Sequence, residues 1–440
     1  MSAERFLSAP ILPTLARLSA PGILLVAFQS MVSVGDTYFV GRLGTGPLAG
    51  LALVFPLLML LQMTSAGAMG GGVSSAIARA LGAGHAALAR RLVVHAMIIA
   101  VAMGSAFSLL ILFFGKSLYG LLGGRDESLA NALAYSNVIF AGAVVVWIAN
   151  TLSSVLRGTG NMLLPALALM FAAVIHVPLS ASLVLGLGPM PRLGIAGAGI
   201  AYVTTFGLGA VAMGIAVFRR SSSLRPAAGD FRLEGKVFYD ILRVGGVSVL
   251  SAFQTVLTAV AVTGFVGRYG EAALAGYGVG LRLELLQIPL VFAIGQALVV
   301  LVGTHVGAQR AARAKQIAWV GTAAAAAMSL VIGVSVALVP HAWVALFSSD
   351  PAVLESGASY LRTVAPFYPF LAAGMALYFA SQGAGQVALP VLSGTARLAI
   401  VLVGGSLAVS LQGIFAVMAA GLVVFGTATM WIVMRARWDK

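Results

Sequence analysis

The chain has 440 residues, of which 60% are hydrophobic and only 9% are charged. Soluble domains carry about 25% charged residues, and the apolar sequence here runs along the whole chain, so an ordinary soluble protein is excluded. The net charge of +14 would suit nucleic-acid binding. However, Lys and Arg fall in short clusters between apolar runs of roughly 20 residues, each long enough to cross a hydrocarbon core. The composition therefore predicts a polytopic membrane protein, and the lack of cysteine excludes disulfides, thiolate metal sites and a cysteine nucleophile.

Apolar windows between charged, Gly or Pro breaks predict twelve transmembrane helices. In the first half they cover residues 14–40, 47–73, 92–115, 131–156, 162–186 and 194–218. In the second half they cover residues 240–266, 273–304, 316–339, 356–380, 388–410 and 413–435. We therefore predict an all-α membrane protein with an N-terminal six-helix bundle over 1–218, a cytoplasmic linker over 219–239 and a C-terminal six-helix bundle over 240–440.

The distribution of basic residues predicts the orientation in the membrane, because Lys and Arg near span ends favour the cytoplasmic side. Three of the 26 basic residues fall within or beside spans, namely Arg282, Arg362 and Arg397. Five lie in the loops on one side, and the other 18 lie on the opposite side. This asymmetry predicts that both termini are cytoplasmic.

An internal repeat relates the two halves. FVGRLGTGPLAG at 39–50 matches FVGRYGEAALAG at 265–276 with eight identities in twelve, and RGTGNMLLP at 157–165 pairs with QGAGQVALP at 382–390. Tyr135 pairs with Tyr360 at the same spacing, and every match has an offset of 225 or 226 residues. Because each half holds an even number of spans, the pseudo-symmetry axis should run along the membrane normal. Two similar bundles with a cavity between them are the predicted arrangement.

Three stretches carry a resemblance to a known family: VGDTYFVGRLG at 34–44, LRGTGNMLLP at 156–165 and YGVGLRLELLQIPLVFAIGQALVVLVGTHVGA at 277–308. In this order, with the duplication, they resemble the multidrug and toxic compound extrusion (MATE) family of the MOP superfamily, and LRLELLQIP is more similar to its DinF-type branch than to its NorM type. The resemblance implies a bacterial inner-membrane antiporter, without a cofactor, that exports small organic compounds, often cations, in exchange for protons or sodium. One chain would form the whole pathway, so a monomer in membrane lipid is expected, with no nucleic-acid partner.

Asp36 is the first candidate coupling residue, because a charge at bilayer depth costs at least about 2.5 to 3.5 kcal/mol and therefore needs a reason. It lies in SMVSVGDTYFV on the first predicted helix, where it coincides with an aspartate of the MATE pattern. Desolvation favours the protonated form of a carboxyl group, so this position suits a proton carrier. The alternative is a solvated residue near the helix end, with Arg42 six positions on.

His176 and Ser180 lie four residues apart on the fifth predicted helix and share one face, with Pro178 between them. The resemblance places them, with Asp36, in the family's N-terminal cation site, where relatives usually hold Asn, then Asn or Asp, and a threonine on the sixth helix. Here we assign Tyr202 to the threonine position. Sodium prefers oxygen ligands, whereas histidine titrates near neutral pH. We therefore predict a proton-binding Asp36–His176 pair; the alternative is a neutral His176 packed against the proline bend.

The second half offers Glu284 and Arg282 in LRLELLQ, two residues apart and hence on different faces of one helix. Each either lines the substrate cavity or forms a structural ion pair elsewhere. The carboxylates that NorM-type relatives carry on the seventh and tenth helices are missing, with Gln254 in SAFQTVL and apolar residues near Leu371. Coupling through the C-terminal half is therefore not expected.

Further candidates for substrate contact are amide, thioether and hydroxyl side chains within the spans. They are Gln29, Met31, Ser33, Asn150, Gln254 and Gln287. Such groups can re-pack around varied flat cations, although helix packing is an equally good reason for them. Pro21 and Pro178 are candidate hinges, or static kinks.

Two other function classes are alternatives to an antiporter. A flippase for lipid-linked saccharides has a similar architecture but would need several cations to hold a pyrophosphate, and only Arg282, Arg362 and Arg397 are available near the spans. An intramembrane enzyme would need a metal-ligand cluster, a nucleophile with its base or paired carboxylates. The histidines show no metal-ligand spacing, so neither an enzyme nor a metal site is expected.

Overall fold

Long apolar helices make up almost all of the structure, a computed structural model that describes residues 3–439. Residues 1–2 and 440, which the sequence assigns to the first and last bundles, lie outside the described residues. Within the described range, eleven helices are long and apolar enough to cross a membrane, and a bent helix pair supplies a twelfth span when it is counted as one. The all-α, twelve-span prediction is confirmed.

The first of two compact units covers Ala20–Gly245. Its helices, numbered along the whole chain after the short α1 (Ala3–Ser8), are α2 (Ile11–Gly41), α3 (Thr45–Gln62), α4 (Gly70–Gly82), α5 (Ala86–Leu121), α6 (Asp126–Ala141), α7 (Ala143–Gly158), α8 (Leu163–Leu185) and α9 (Ile195–Phe218). A π-helix, Met63–Met69, joins α3 to α4 within one span. A short 3₁₀ helix, Ala228–Phe231, precedes α10.

The second unit covers Gly246–Lys440 together with the N-terminal segment up to Ser19. Its helices are α10 (Gly235–Gly267, from Gly246 on), α11 (Glu271–Gly307), α12 (Ala311–Leu338), α13 (Pro340–Val344), α14 (Pro351–Val364), α15 (Tyr368–Ala384), α16 (Ala388–Leu407) and α17 (Leu411–Arg435). The N-terminal segment is held there because Arg310 donates to the Leu7 carbonyl at 3.0 Å and Arg313 donates to the Ala9 carbonyl at 3.2 Å.

Local sequence explains several helix ends. Gly186 ends α8 in the left-handed conformation with φ 73°, which glycine adopts without steric strain because it has no Cβ. Asp350 caps α14 by accepting from the backbone N–H groups of Ala352 and Val353, with Pro351 in the first turn. Ser410 caps α17 through the Gly413 N–H at 3.0 Å. Polar caps of this kind mark the loops between the predicted spans.

Two predicted helices prove to be broken. The span predicted at 131–156 consists of α6 and α7, which meet at a 51° bend around Gly142. The span predicted at 356–380 consists of α14 and α15, joined by a 3₁₀ turn over Ala365–Phe367. Pro366 explains that break, because proline lacks the N–H needed to continue the α-helical hydrogen bonds. Continuous apolar composition therefore predicted the spans correctly but not their internal bends.

The predicted linker over 219–239 is docked against the first unit. Arg90 of α5 contacts Asp230 at 2.9 Å, and Arg91 contacts Glu234 at 2.9 Å. His95, buried on the same helix, donates from Nδ1 to the Arg91 carbonyl at 2.8 Å, while its Nε2 accepts from the Glu234 backbone N–H at 3.0 Å. The last five residues of the predicted linker, from Gly235 on, are already helical.

Hydrogen bonds and charges fix Asp230 in its ionised form. The backbone N–H of Ala227 donates to its carboxylate, followed by Arg90, and these contacts outweigh burial and lower the pKa of Asp230 below its usual value. Further on, α10 packs on α4 at two glycines: a methyl group on Gly72 would come within 2.8 Å of the Gly245 nitrogen. The linker and the first turns of α10 therefore belong to the N-terminal unit.

Candidate functional site

Asp36, His176 and Ser180 form a buried cluster in the first unit. Asp36 is 6% exposed, His176 1% and Ser180 fully buried. The His176 Nε2 atom lies 3.0 Å from both carboxylate oxygens of Asp36, and the Ser180 hydroxyl donates to Oδ1 at 2.5 Å. The structure thus brings together the three residues that the sequence singled out on the first and fifth predicted helices.

The residue next to the aspartate, Gly35, lies where α2 runs beside α8. A methyl group on Gly35 would lie 3.7 Å from Phe39 and 3.9 Å from Val177, so the α2 backbone runs close to the neighbour of His176. On α8, Pro178 has no N–H to donate to the Val174 carbonyl four residues earlier. The helix stays continuous through the proline, and His176 and Ser180 keep the one-turn spacing that puts both on Asp36.

Thr205 on α9 is the fourth member of the cluster, and the sequence prediction missed it. Its Oγ1 lies 2.8 Å from His176 Nδ1, and its hydroxyl donates to the Ala201 carbonyl at 2.7 Å. Tyr202, the predicted residue at this point, instead accepts from Gln62 Nε2 at 2.5 Å. The signal was present in AYVTT, because Thr205 lies three residues beyond Tyr202 and thus close to the same helix face.

The hydrogen bonds restrict the proton count of the cluster. Since the Thr205 hydroxyl donates to Ala201, its oxygen accepts from Nδ1–H, which leaves Nε2 to face the Asp36 carboxyl group. One proton between Nε2 and Asp36 satisfies both, either as imidazolium with carboxylate or as imidazole with carboxylic acid. Without that proton, a lone pair on His176 Nε2 would face a lone pair on an Asp36 carboxylate oxygen at 3.0 Å. The Thr205 hydroxyl can relieve this by turning to donate to Nδ1 while the ring moves its proton to Nε2.

A second polar network lies at the π-helix of the same unit. Asn150 on α7 donates to Gln62 Oε1 at 3.0 Å and to the Ser65 hydroxyl at 2.8 Å. Gln62 in turn donates to Tyr202. π-Helices often occur at functional sites. This one places the Ser65 hydroxyl within hydrogen-bond distance of the Asn150 amide. Asn150, a predicted substrate contact, therefore has its amide engaged by neighbouring helices.

The repeat-related tyrosines each approach an acidic residue of their own unit. Tyr135 is buried and lies within electrostatic range of Asp36. Tyr360, also buried, donates to Glu284 Oε2 at 2.9 Å. The internal repeat paired these tyrosines at the sequence level, but nothing in the sequence indicated that both would accompany a carboxyl group.

Glu284 lies in a second polar centre, within the C-terminal unit. It is 6% exposed and lines a small cavity together with Thr258 of α10 and Arg397 of α16. The cavity wall is completed by apolar residues, including Val401. Glu284 and Arg397 interact electrostatically, but no ion pair at contact distance joins them among the described residues.

The remaining predicted substrate contacts are in varied surroundings. Gln29, Met31 and Ser33 are exposed on α2. Gln254 donates to the Thr395 hydroxyl at 2.7 Å, and the Arg282 guanidinium stacks over the Phe347 ring at 4.9 Å. Gln287 is 1% exposed, and neither amide atom has a partner within residues 3–439. The hinge candidate Pro21 lies inside the unbroken helix α2.

Metal-ligand groups of three or more His, Cys, Asp or Glu side chains do not occur in the part of the chain that the structure describes. The chemistry available in the Asp36 cluster is that of a carboxyl group, an imidazole and two hydroxyls. These groups can bind, share and release a proton.

Comparison with known proteins gives consistent results. The MatE family profile matches residues 21–182 and 248–407. The FAD transporter of Shewanella oneidensis is 27% identical over 375 residues, which cover 85% of this chain and 82% of that protein. The probable multidrug resistance protein NorM of Thermotoga maritima is 24% identical over 436 residues, covering 97% and 93%. An outward-facing multidrug resistance MATE family transporter of the MOP superfamily shares the fold, with a TM-score of 0.89 at 23% identity, over 99% of this chain and 98% of that one.

Proposed function

The chain belongs to the MatE family of multi-pass membrane transporters, and from this premise we propose that it exports organic compounds in exchange for protons bound at Asp36 and His176. The contact that supports the proposal is the approach of His176 Nε2 to both Asp36 oxygens at 3.0 Å. An imidazole and a carboxyl group in contact can share and exchange a proton, which an antiporter driven by a proton gradient requires.

Sodium coupling is disfavoured by the same geometry. Sodium is a hard cation that needs several oxygen ligands. Both Asp36 oxygens already face the imidazole, and the Ser180 and Thr205 hydroxyls are engaged with Asp36 and His176. A sodium ion would have to displace the imidazole from the only carboxylate of the cluster.

The proposed cycle has two states of the pair. In the loaded state, one proton lies between Nε2 and Asp36, and Ser180 donates to the carboxyl group. In the unloaded state, the carboxylate keeps the hydrogen bond from Ser180. The neutral ring then carries its proton on Nε2 and donates it to Asp36, while the Thr205 hydroxyl donates to Nδ1. Thr205 is thus a positioning residue, because its rotatable hydroxyl serves both tautomers.

The finer assignments follow the sequence analysis. We propose both termini on the cytoplasmic side of a bacterial inner membrane, a monomeric pathway and membership in the DinF-like branch. The substrates are proposed to be organic cations and related compounds, and the relative named as an FAD transporter makes flavin compounds a class to include. The flippase alternative is disfavoured, because Arg282 is stacked on Phe347 and Arg362 lies 3.8 Å from Glu355, which leaves Arg397.

Transport in proteoliposomes tests the proposal. Export of a fluorescent organic cation is measured with a pH gradient and, separately, with a sodium gradient, for the wild type and for Asp36→Asn and His176→Ala. We expect only the pH gradient to drive export, and both substitutions to reduce it at least tenfold. Asp126→Asn and His341→Ala are matched controls, since both residues are exposed. Export driven by sodium alone would overturn the proton assignment, and flipping of a lipid-linked saccharide without cation export would favour the alternative.

A further inference from the structure

The segment that leads into α10 carries large apolar side chains on its surface. Phe231, Leu233 and Tyr239 are 60%, 58% and 66% exposed. The segment is nevertheless held in place, because Asp230 and Glu234 form ion pairs with arginines of α5. Several exposed apolar side chains within nine residues of a docked segment indicate an interaction surface.

Tyr239 continues the lipid-facing stripe of α10. Leu242, Leu250, Phe253 and Leu257 are all exposed. With Tyr239 they recur at helical spacing and therefore share one face of the helix. Since the middle of this stripe lies in a membrane span, the same face extends from the hydrocarbon region to Tyr239.

The length of α10 places Tyr239 at the level of the lipid headgroups. Tyr239 lies 28 residues before Gly267, the last residue of the helix, which is about 42 Å at a rise of about 1.5 Å per residue. Arg268 follows Gly267, so this end of the helix is at the opposite membrane boundary. A bilayer with its headgroups is about 40 to 45 Å thick. Tyr239, with Lys236 one turn before it on the same face, therefore reaches the headgroup layer on the side of the linker.

Two cations of this segment have no acidic partner of their own. Arg232 and Lys236 are exposed, and within residues 3–439 neither forms an ion pair with a carboxylate. The acidic residues nearby, Asp230, Glu234 and Asp240, are paired instead with arginines of α4, α5 and α10. The surface beside the exposed apolar side chains is therefore positively charged.

We propose that this segment binds anionic phospholipids: Arg232 and Lys236 contact the headgroup phosphates, and Phe231, Leu233 and Tyr239 enter the interfacial layer beside them. Basic residues next to a span attract anionic lipids, and aromatic side chains favour the headgroup layer. A lipid fits better than a cytosolic protein, because Tyr239 shares its helix face with the transmembrane stripe. The inference is independent of the coupling ion and of the exported substrate.

Spin labelling tests this surface, because the chain contains no cysteine and a single introduced one can be labelled. A nitroxide is attached at Phe231→Cys, where its bulky apolar side chain replaces the phenyl ring. Ser221→Cys, exposed in the polar turn of the same linker, is the control in water, and Leu250→Cys is the control within the span. Accessibility to oxygen and to a water-soluble nickel chelate is measured for the full-length protein in phosphatidylcholine vesicles, with and without phosphatidylglycerol.

We expect the ratio of oxygen to nickel accessibility to be at least threefold higher for the label at Phe231 than for the label at Ser221. Phosphatidylglycerol should raise the ratio at Phe231 at least twofold and leave that at Leu250 unchanged. A label at Phe231 that is as accessible to nickel as the one at Ser221 would overturn the proposal and point to a cytosolic partner. A ratio that does not respond to phosphatidylglycerol would overturn the recognition of anionic lipid.

Charge variants in the Phe231→Cys protein test which cations recognise the lipid. Arg232→Gln and Lys236→Gln should each reduce the response to phosphatidylglycerol, and together they should abolish it. Arg225→Gln is the matched control, since it removes one exposed charge from the same linker beside the buried Leu224. An equal loss in Arg225→Gln would contradict a specific surface, because net charge alone would then explain the response. The same change produced by inorganic phosphate in phosphatidylcholine vesicles would overturn the lipid as the ligand.

Discussion

The two bundles carry their charged centres at positions that the internal repeat does not equate. With the offset of 226, Asp36 corresponds to Val262, and with the offset of 225, His176 corresponds to Val401. Both valines are buried, and Val401 lines the cavity of Glu284 and Arg397. The charged residues of the two halves therefore occupy different positions of the repeat, although His176 and Arg397 lie on corresponding helices, α8 and α16.

The basic residues of the two centres, His176 and Arg397, differ in whether they can lose their proton. Histidine changes its charge between about pH 5 and 8, whereas arginine stays charged throughout. The Asp36–His176 contact can therefore load and unload a proton, while the arginine at the other centre, Arg397, keeps its charge. We infer that energy coupling belongs to the N-terminal centre.

Replacing His176 by arginine should have the largest effect, because it makes the first centre resemble the second. A guanidinium at this position would pair with Asp36 permanently, so we expect proton-driven export to fall at least fiftyfold while the purified protein in detergent still binds the fluorescent organic cation. Export is measured in proteoliposomes, and His176→Gln serves as the comparison that carries no charge. Export of His176→Arg close to the wild-type rate would contradict the division between the two centres.

Thr205 offers a milder change within the first centre. Thr205→Val keeps the shape but removes the hydroxyl that serves both ring tautomers, so we expect export to fall about fivefold and its pH profile to shift. Thr205→Ser should restore both the rate and the profile. If valine changed the rate without moving the profile, Thr205 would be a packing residue only.

Tyr202 distinguishes a coupling role from a structural one. Tyr202→Phe removes the acceptor of Gln62 Nε2 in a part-buried hydrogen bond, so the cost should stay below the about 1 to 3 kcal/mol of a fully buried unsatisfied donor. We expect a lower melting temperature and an unchanged pH profile of export. A shifted pH profile would instead return Tyr202 to the coupling cluster that the sequence predicted.

The smallest expected effect concerns Asp230, far from either centre in sequence. Its pKa is lowered, chiefly by the Ala227 N–H and then by Arg90, so the carboxylate stabilises the folded state above its usual pKa of 3.8 and loses this effect as the pH falls through the lowered value. Asp230→Asn should cost about 1 to 2 kcal/mol near neutral pH. Melting temperatures at pH 7 and at pH 3 check this, and an equal loss at both would contradict it.

Composition and spacing were sufficient for the twelve spans, because the length of an apolar window reflects the thickness of the membrane. The resemblance and the one-turn spacing of His176 and Ser180 also indicated which residues approach Asp36. Thr205 was missed because the rotation of α9 against α8 decides whether Tyr202 or Thr205 faces the imidazole. That rotation depends on packing between helices that are almost uniformly apolar, so hydrophobic periodicity carries little information about it.

Other features depend on contacts that a single sequence does not display. The cavity of Arg397 joins residues of α10, α11 and α16, which lie far apart along the chain. The docking of the linker depends on Arg90 and Arg91, which the sequence showed only as orientation charges. Neither arrangement follows from composition, because the polar side chains contact residues that are distant in sequence.

The docked linker also bears on how this protein can be cut or labelled. Residues 230–234 are tied to α5 by ion pairs and by His95, and Leu224 is 3% exposed. Between α9 and Leu224, by contrast, Arg220 and Ser221 are exposed in a turn. Exposed loop tips tolerate chain breaks best. A reporter domain, a protease site or the junction of two co-expressed half-transporters therefore belongs at Ser221 rather than at the middle of the linker.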